Sequence, residues 1–283
     1  MASDFSDPYS YPGTRVLKNI PGIRDEATLR EFEYEQTKLR IEELREKPIP
    51  GQFDLAHLKA IHAHVFQDVY EWAGHTRTVN ISKNGDRFAQ AGLVEGAAQQ
   101  ISRALARENK LQGLEKPPFV DRLAVYYADW NALHPFREGN GRATRELIGQ
   151  LAREAGYELD QTRIDNDKDQ WNDAARRSFH GDVAPVKQIL AEAIRPSRAL
   201  AFERLPEAEA CAKFPELRRV YDGLRAIEDA ARASMGNDGA RVTGYMREVR
   251  EAFVKRLDQG QAPEVKRDVT PQRQQERGRE RER

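Results

Sequence analysis

Apolar residues recur at helical spacing along most of this 283-residue chain, in blocks closed by proline or glycine. Leu29, Phe32, Leu39 and Leu44 line one side of a charged segment that Pro48 and Pro50 end. Leu55, Leu58, Ile61, Val65 and Phe66 mark the buried side of a second helix, over residues 54–70. The same period returns over residues 93–111, 119–133, 142–155, 168–177 and 183–194, with Gly156 as a stop for the third of these and Pro196 closing the set. One segment breaks the pattern. Residues 76–82 are β-branched and alternating, and Asn84-Gly85 follows, a pair that accepts the positive φ of a tight hairpin turn. The expected fold is therefore all-α, mostly helical, with one small β-hairpin near residues 77–89.

The organisation predicted along the chain has four parts. Residues 1–24 carry Pro8, Pro12 and Pro21 and read as an extended arm. Residues 25–196 form the main helical domain. Residues 197–257 are a helical extension of unassigned role, with amphipathic patterns over 214–233 and 242–257. Residues 258–283 are rich in Gln, Arg and Glu and nearly devoid of apolar side chains, so no core offsets the entropy of ordering them; a disordered tail is expected.

Composition narrows the class of partner. Lys and Arg number 46 and Asp and Glu number 46, so net charge supplies no attraction to a nucleic acid or a membrane surface. The arginines of the tail alternate with glutamates, which weakens a nucleic-acid role further. Cys211 is the only cysteine, which rules out an intramolecular disulfide and disfavours a cysteine-based metal site. The first residues are polar and lack the basic start and apolar run of a secretory signal, and no stretch approaches the roughly 18 apolar residues of a membrane span. A bacterial cytoplasmic protein is expected, with translocation through a signal of another kind left open.

The segment that carries chemistry is His134-Pro135-Phe136-Arg137-Glu138-Gly139-Asn140-Gly141-Arg142, with Arg145 one turn on. Gly139-Asn140-Gly141 stands where a helix begins, and glycines there let successive N–H groups converge on an anion. Arg142 and Arg145 are three apart and share a helix face, a pairing suited to a polyphosphate. Glu138 beside phosphates suits Mg²⁺, which is commonly held by one or two carboxylates and substrate oxygens. His134, with an ordinary pKa near 6.5, suits the removal of a proton from an attacking hydroxyl. Phe136 anchors the loop in the core. Each feature alone is more often structural. Their joint order supplies the parts that phosphoryl-type transfer needs.

This stretch matches at every defined position the signature His-x-Phe-x-(Asp/Glu)-Gly-Asn-Gly-Arg-x-x-Arg, and over roughly residues 8–195 the chain resembles the Fic (filamentation induced by cAMP) family. The resemblance implies a helical Fic fold and a protein adenylyltransferase. It implies that His134 deprotonates a Ser, Thr or Tyr hydroxyl of a target protein, which attacks the α-phosphate of ATP. It places Mg²⁺ on Glu138, the phosphates on Gly139, Asn140, Gly141 and Arg142, and the γ-phosphate on Arg145. It makes residues 81–85 a flap that holds the target by backbone pairing, with Lys83, Asn84 and Gly85 at the nucleotide. Members that phosphorylate carry Lys where this chain has Gly141, so AMP transfer is preferred over transfer of phosphate; transfer of another group such as UMP stays an alternative, and the intact motif argues against a non-catalytic interaction module.

Control is also implied. Many members carry an inhibitory (Ser/Thr)-x-x-x-Glu-(Gly/Asn) helix whose Glu pairs with the second motif arginine. No Glu of this chain has Ser or Thr four residues before it. The expectation is a bacterial toxin restrained by a small separate antitoxin that supplies the Glu, with DNA gyrase and topoisomerase IV as the implied targets.

Overall fold

The computed structural model describes residues 7–261 apart from Asn84 and Asn237. The expected disordered tail, beyond Gln261, and the first six residues of the arm lie outside that range. Two compact units divide between Leu200 and Ala201.

The first unit is mostly helical, as the apolar spacing predicts, with two small two-stranded sheets. Its helices are α1 (Glu26–Glu46), α2 (Leu55–Phe66), α3 (Val94–Arg107), α4 (Lys116–Leu133), α5 (Asn140–Glu154), α6 (Gln161–Asn166), α7 (Lys168–Phe179) and α8 (Ala184–Ala193). α9 (Ser197–Arg204) crosses into the second unit. Strands β1 (Ser82–Lys83) and β2 (Asp86–Arg87) pair antiparallel, as do β3 (Tyr157–Leu159) and β4 (Ile194–Pro196). α4 and α5 are central: α4 packs on α3, α5, α7 and α8, and α5 packs on α2. Phe66, Phe119, Tyr126, Trp130 and Phe136 fill the space between them with no more than 2 % of their surface exposed. Each such side chain contributes about 1.5–3 kcal/mol on burial.

Capping sets the helix starts. Asp25, Asp54, Asp160 and Asp167 each accept a backbone N–H within the first turn of α1, α2, α6 and α7. α5 differs, because its N-cap is Gly139 and no side chain caps it.

The structure corrects several boundaries. α2 stops at Phe66 instead of Tyr70, because the N–H groups of Val69 and Tyr70 both turn back to the Phe66 carbonyl. α3 stops at Arg107, and Asn109, Lys110 and Leu111 all take positive φ, reversing the chain to bury Leu111 completely. The hairpin ladder is shorter than residues 77–89, because its stems are held from elsewhere: the Arg77 guanidinium takes the Val79 and Ala89 carbonyls, and Asn80 Oδ1 accepts from Ala91 N–H. Sheet β3–β4 was not foreseen. It clamps the exit of α5 to the end of α8 through three residue pairs. The arm is not simply extended: Ser10 bridges Leu17, and the Asn19 side chain closes a turn onto Ile23.

The second unit holds the end of α9, α10 (Glu207–Lys213), α11 (Leu217–Met235) and α12 (Gly239–Asp258). α11 and α12 pack together over Leu217, Val220, Leu224, Val242, Phe253 and Leu257. The Arg250 guanidinium lies 4.6 Å from the Phe202 ring centre and donates to the Phe202 carbonyl. α9 and α10 were missed because each is shorter than the window in which helical periodicity becomes visible. Among the described residues no helix is long and apolar enough to cross a membrane.

Candidate active site

The loop between α4 and α5 gathers the motif residues. His134 ends α4 in the left-handed conformation (φ 48°, ψ 63°), with its N–H still bonded to the Trp130 carbonyl. A non-glycine residue adopts that conformation only where surrounding contacts hold it. Nδ1 lies 3.0 Å from the Asn131 carbonyl, which can only accept. The proton therefore sits on Nδ1, and Nε2 carries the free lone pair. Phe88 of the flap stem stacks on the ring at 3.8 Å and 14°. Burial, then the nearby charges of Lys83 and Arg77, lower the His134 pKa to about 4. The imidazole is neutral at physiological pH, as a proton acceptor must be.

The loop is locked by Asn140. Its Oδ1 accepts from Phe136 N–H and its Nδ2 donates to the Phe136 carbonyl, both at 2.8 Å. The side chain is thus committed to the loop, and what Asn140 can offer a phosphate is its backbone N–H. That group and those of Gly141 and Arg142 form the first turn of α5, where helical geometry provides no acceptor. Gly139 N–H instead donates to Glu138 Oε1 at 2.9 Å. Gly139 has φ 79°, and a Cβ there would sit 2.1 Å from Cζ of Phe66. Packing alone demands that glycine. Gly141 is the reverse: a Cβ would meet nothing within 4 Å, so open space borders the helix start.

The two arginines are both engaged. Arg142 pairs with Glu33 of α1, donates to Thr37 Oγ1 at 3.0 Å and lies over the Phe66 ring. Arg145 pairs with Asp165 of α6 at 2.8 Å. Asp165 does not match the inhibitory Glu signature, because it is an aspartate on a six-residue helix. The glutamate carboxyl of Glu138 is half-exposed beside the helix start. Lys83 and Gly85 are exposed on the flap, Gly85 with φ 89°, while Asn84 lies outside the described residues.

His62, on the apolar stripe of α2, also supports this loop. Gly74 N–H donates to its Nδ1 at 2.9 Å, so its proton is on Nε2, which donates to the Glu138 carbonyl at 3.0 Å. Phe136 stacks on it at 3.9 Å. Full burial drops its pKa to about 3. The unfolded chain protonates near pH 6.5 and the folded chain does not, so folded-state stability falls as pH drops below 6.5 towards 3. Chemical denaturation is expected to show a loss of roughly 1 kcal/mol per pH unit from this residue over that window, reduced in His62→Gln. An unchanged slope in the variant would contradict the assignment.

An uncapped helix start, a neutral imidazole with a fixed tautomer and two arginines on one helix face therefore meet at this loop. By sequence, the chain belongs to the Fic/DOC family, whose family model matches residues 52–152. It is 46 % identical over 177 residues to the protein adenylyltransferase VbhT of Bartonella schoenbuchensis, covering 62 % of this chain and 37 % of that protein. It is 41 % identical to the probable protein adenylyltransferase y4lH of Sinorhizobium fredii, covering 64 % of this chain and 92 % of that one. The fold is similar to that of the BepC protein of Bartonella tribocorum, solved with bound AMPPNP, at a TM-score of 0.63 and 30 % identity, covering 66 % of this chain and 96 % of that structure. It is also similar to the Fic domain of a Bartonella quintana effector with bound ADP, at a TM-score of 0.65 and 29 % identity, over 68 % and 96 % of the two chains.

Proposed function

We propose that His134 takes the proton from a target-protein hydroxyl as its oxygen attacks the α-phosphorus of ATP. The chain is a protein adenylyltransferase of the Fic type. The bond from that phosphorus to the bridging β-phosphate oxygen breaks, pyrophosphate leaves, and AMP stays on the target. The observation that carries the proposal is the His134 ring: neutral, with Nδ1 committed to the Asn131 carbonyl and Nε2 unoccupied. The N–H groups of Asn140, Gly141 and Arg142 meet the phosphates at the uncapped start of α5, and open space at Gly141 admits them. The nucleotides bound in the two Bartonella structures and the names of the curated relatives support ATP as the donor.

Glu138 is a single exposed carboxylate at that helix start, and among the described residues no cluster of three His, Cys, Asp or Glu forms a self-sufficient cage. This donor set fits Mg²⁺, which would neutralise phosphate charge when bound. The flap, residues 81–85, is proposed to hold the target as an added strand, since β1 is exposed and among the described residues its sheet has only the two strands β1 and β2. A toxin role acting on DNA gyrase or topoisomerase IV in the bacterial cytoplasm, restrained by a small antitoxin carrying a Glu, is the finer proposal. The antitoxin carboxylate would have to displace Asp165 from Arg145. Mass spectrometry of target modified in vitro tests the reaction: an AMP adduct is expected, and a UMP or phosphate adduct would overturn it.

Asp165 bears on ATP directly. The pair is partly solvent-exposed (Asp165 side chain 40 %), and such pairs contribute little. Asp165→Asn is expected to lower KM for ATP by about 1.4-fold to fivefold, from the roughly 0.2–1 kcal/mol of an exposed ion pair. A rise in KM would show that Asp165 holds Arg145 in its productive position.

A further inference from the structure

The most unusual buried charge in the first unit is Arg77. It is 2 % exposed, yet among the described residues no carboxylate pairs with it. Every acceptor recorded for its guanidinium is a main-chain carbonyl. Nε donates to His134 O at 2.8 Å and Nη1 to Val79 O at 2.9 Å, while Nη2 reaches Leu133 O at 3.3 Å and Ala89 O. Its own N–H donates to Pro135 O at 2.9 Å.

A buried cation without a counterion is strongly disfavoured unless dipoles replace its water. Here the end of α4 does so: Leu133 and His134 present carbonyls that the helix leaves unbonded, at its negative pole. Val79 and Ala89 lie on opposite stems of the flap hairpin. One guanidinium therefore joins both stems of the flap to the main chain at the end of α4, where the His134 loop begins. It also bonds the carbonyl of His134 itself, the residue in left-handed conformation, where an alternative backbone state lies close in energy.

We infer that Arg77 is a positioning residue, which registers the target-holding flap against the base by tying the carbonyls of Val79 and Ala89 to those of Leu133 and His134. This rests on the AMP-transfer proposal. The planar, multiply donating guanidinium is specific to that geometry, so lysine is no substitute. Because the target hydroxyl is carried by the flap and its proton leaves to His134, a small misregister lowers transfer steeply without touching the phosphate cradle on α5.

The test uses the full chain as wild type, Arg77→Lys and Arg77→Gln. AMP transfer is read as initial rate from α-labelled ATP into bacterial lysate protein, and nucleotide binding as AMPPNP affinity. Both variants are expected to lose at least about a hundredfold in transfer rate while AMPPNP affinity changes less than about threefold. Histidine ¹⁵N NMR supplies a readout independent of activity: the Nδ1–H tautomer of His134, single in the wild type, is expected to become mixed in both variants. Parallel loss of transfer and AMPPNP binding would assign Arg77 to folding alone. Wild-type rates or an unchanged His134 tautomer in the variants would overturn the inference. A wild type that transfers nothing while the NMR result holds would count against the AMP-transfer proposal and leave the positioning role standing.

Discussion

Replacing His134 by alanine is expected to lower AMP transfer about a thousandfold, the middle of the range for removing a positioned general base. The neighbouring geometry makes the loss specific. The imidazole is held by the Asn131 carbonyl on one side and by Phe88 on its face. AMPPNP affinity is expected to stay within a few fold, because the proposed phosphate cradle is on α5 and not on His134. The fold is expected to survive, losing a stacking contact of about 1 kcal/mol. Transfer at a tenth of the wild-type rate or more would reassign the proton to another group. The low pKa adds a pH signature. A neutral base at pH 7 that protonates only near 4 gives a kcat/KM flat across the neutral range and falling only as the medium approaches pH 4. An acid limb centred near 6.5 would mean that His134 is solvated.

The second large effect separates the two motif glycines. Gly139→Ala is expected to destabilise the protein by about 2–4 kcal/mol, from overpacking of a close-packed core and an unfavourable φ. The Cβ would overlap Phe66, which is fully buried and held between His62 and Tyr70. Phe66→Leu in the same chain is expected to recover part of the loss, since it removes the overlapping atoms. Gly141→Ala is expected to leave stability unchanged or raise it by about 0.5–1 kcal/mol, as alanine in a helix does. It is nonetheless expected to reduce transfer at least tenfold, because its methyl group enters the open space in front of the α5 N–H groups. Equal melting temperatures for the two variants, by scanning calorimetry, would contradict this division.

The elements that share a periodic apolar face were legible before any coordinates. Leu58, Ile61, Val65 and Phe66 predict α2, and Phe119 through Leu133 predicts α4, because their burial repeats over several turns. The candidate site was legible as a string: His134 to Arg145 carries its chemistry in order, within one loop and one helix. What could not be read were the groups that arrive from elsewhere. Glu33 reaches Arg142 from 109 residues away, and Arg77 reaches His134 across 57. Arg77 sits among β-branched residues and looks like one more charge on a hairpin. Only folding removes its water and brings carbonyls in place of a carboxylate. The role of Gly139 was hidden for the same reason: beside Asn140 and Gly141 it reads as part of an anion nest, while the atom that forbids a side chain belongs to Phe66.

AMP transfer by His134 requires attack on the α-phosphorus, with the proton leaving to the imidazole. Paired labelling decides it. Wild type and His134→Ala are incubated with bacterial lysate and Mg²⁺, once with α-labelled and once with γ-labelled ATP, and label retained on protein is measured. Expected are α-label on protein with the wild type, none above background from γ-label, and at least about a hundredfold less α-label with the variant. Retention of γ-label dependent on His134, or α-label of equal rate in the variant, would contradict it.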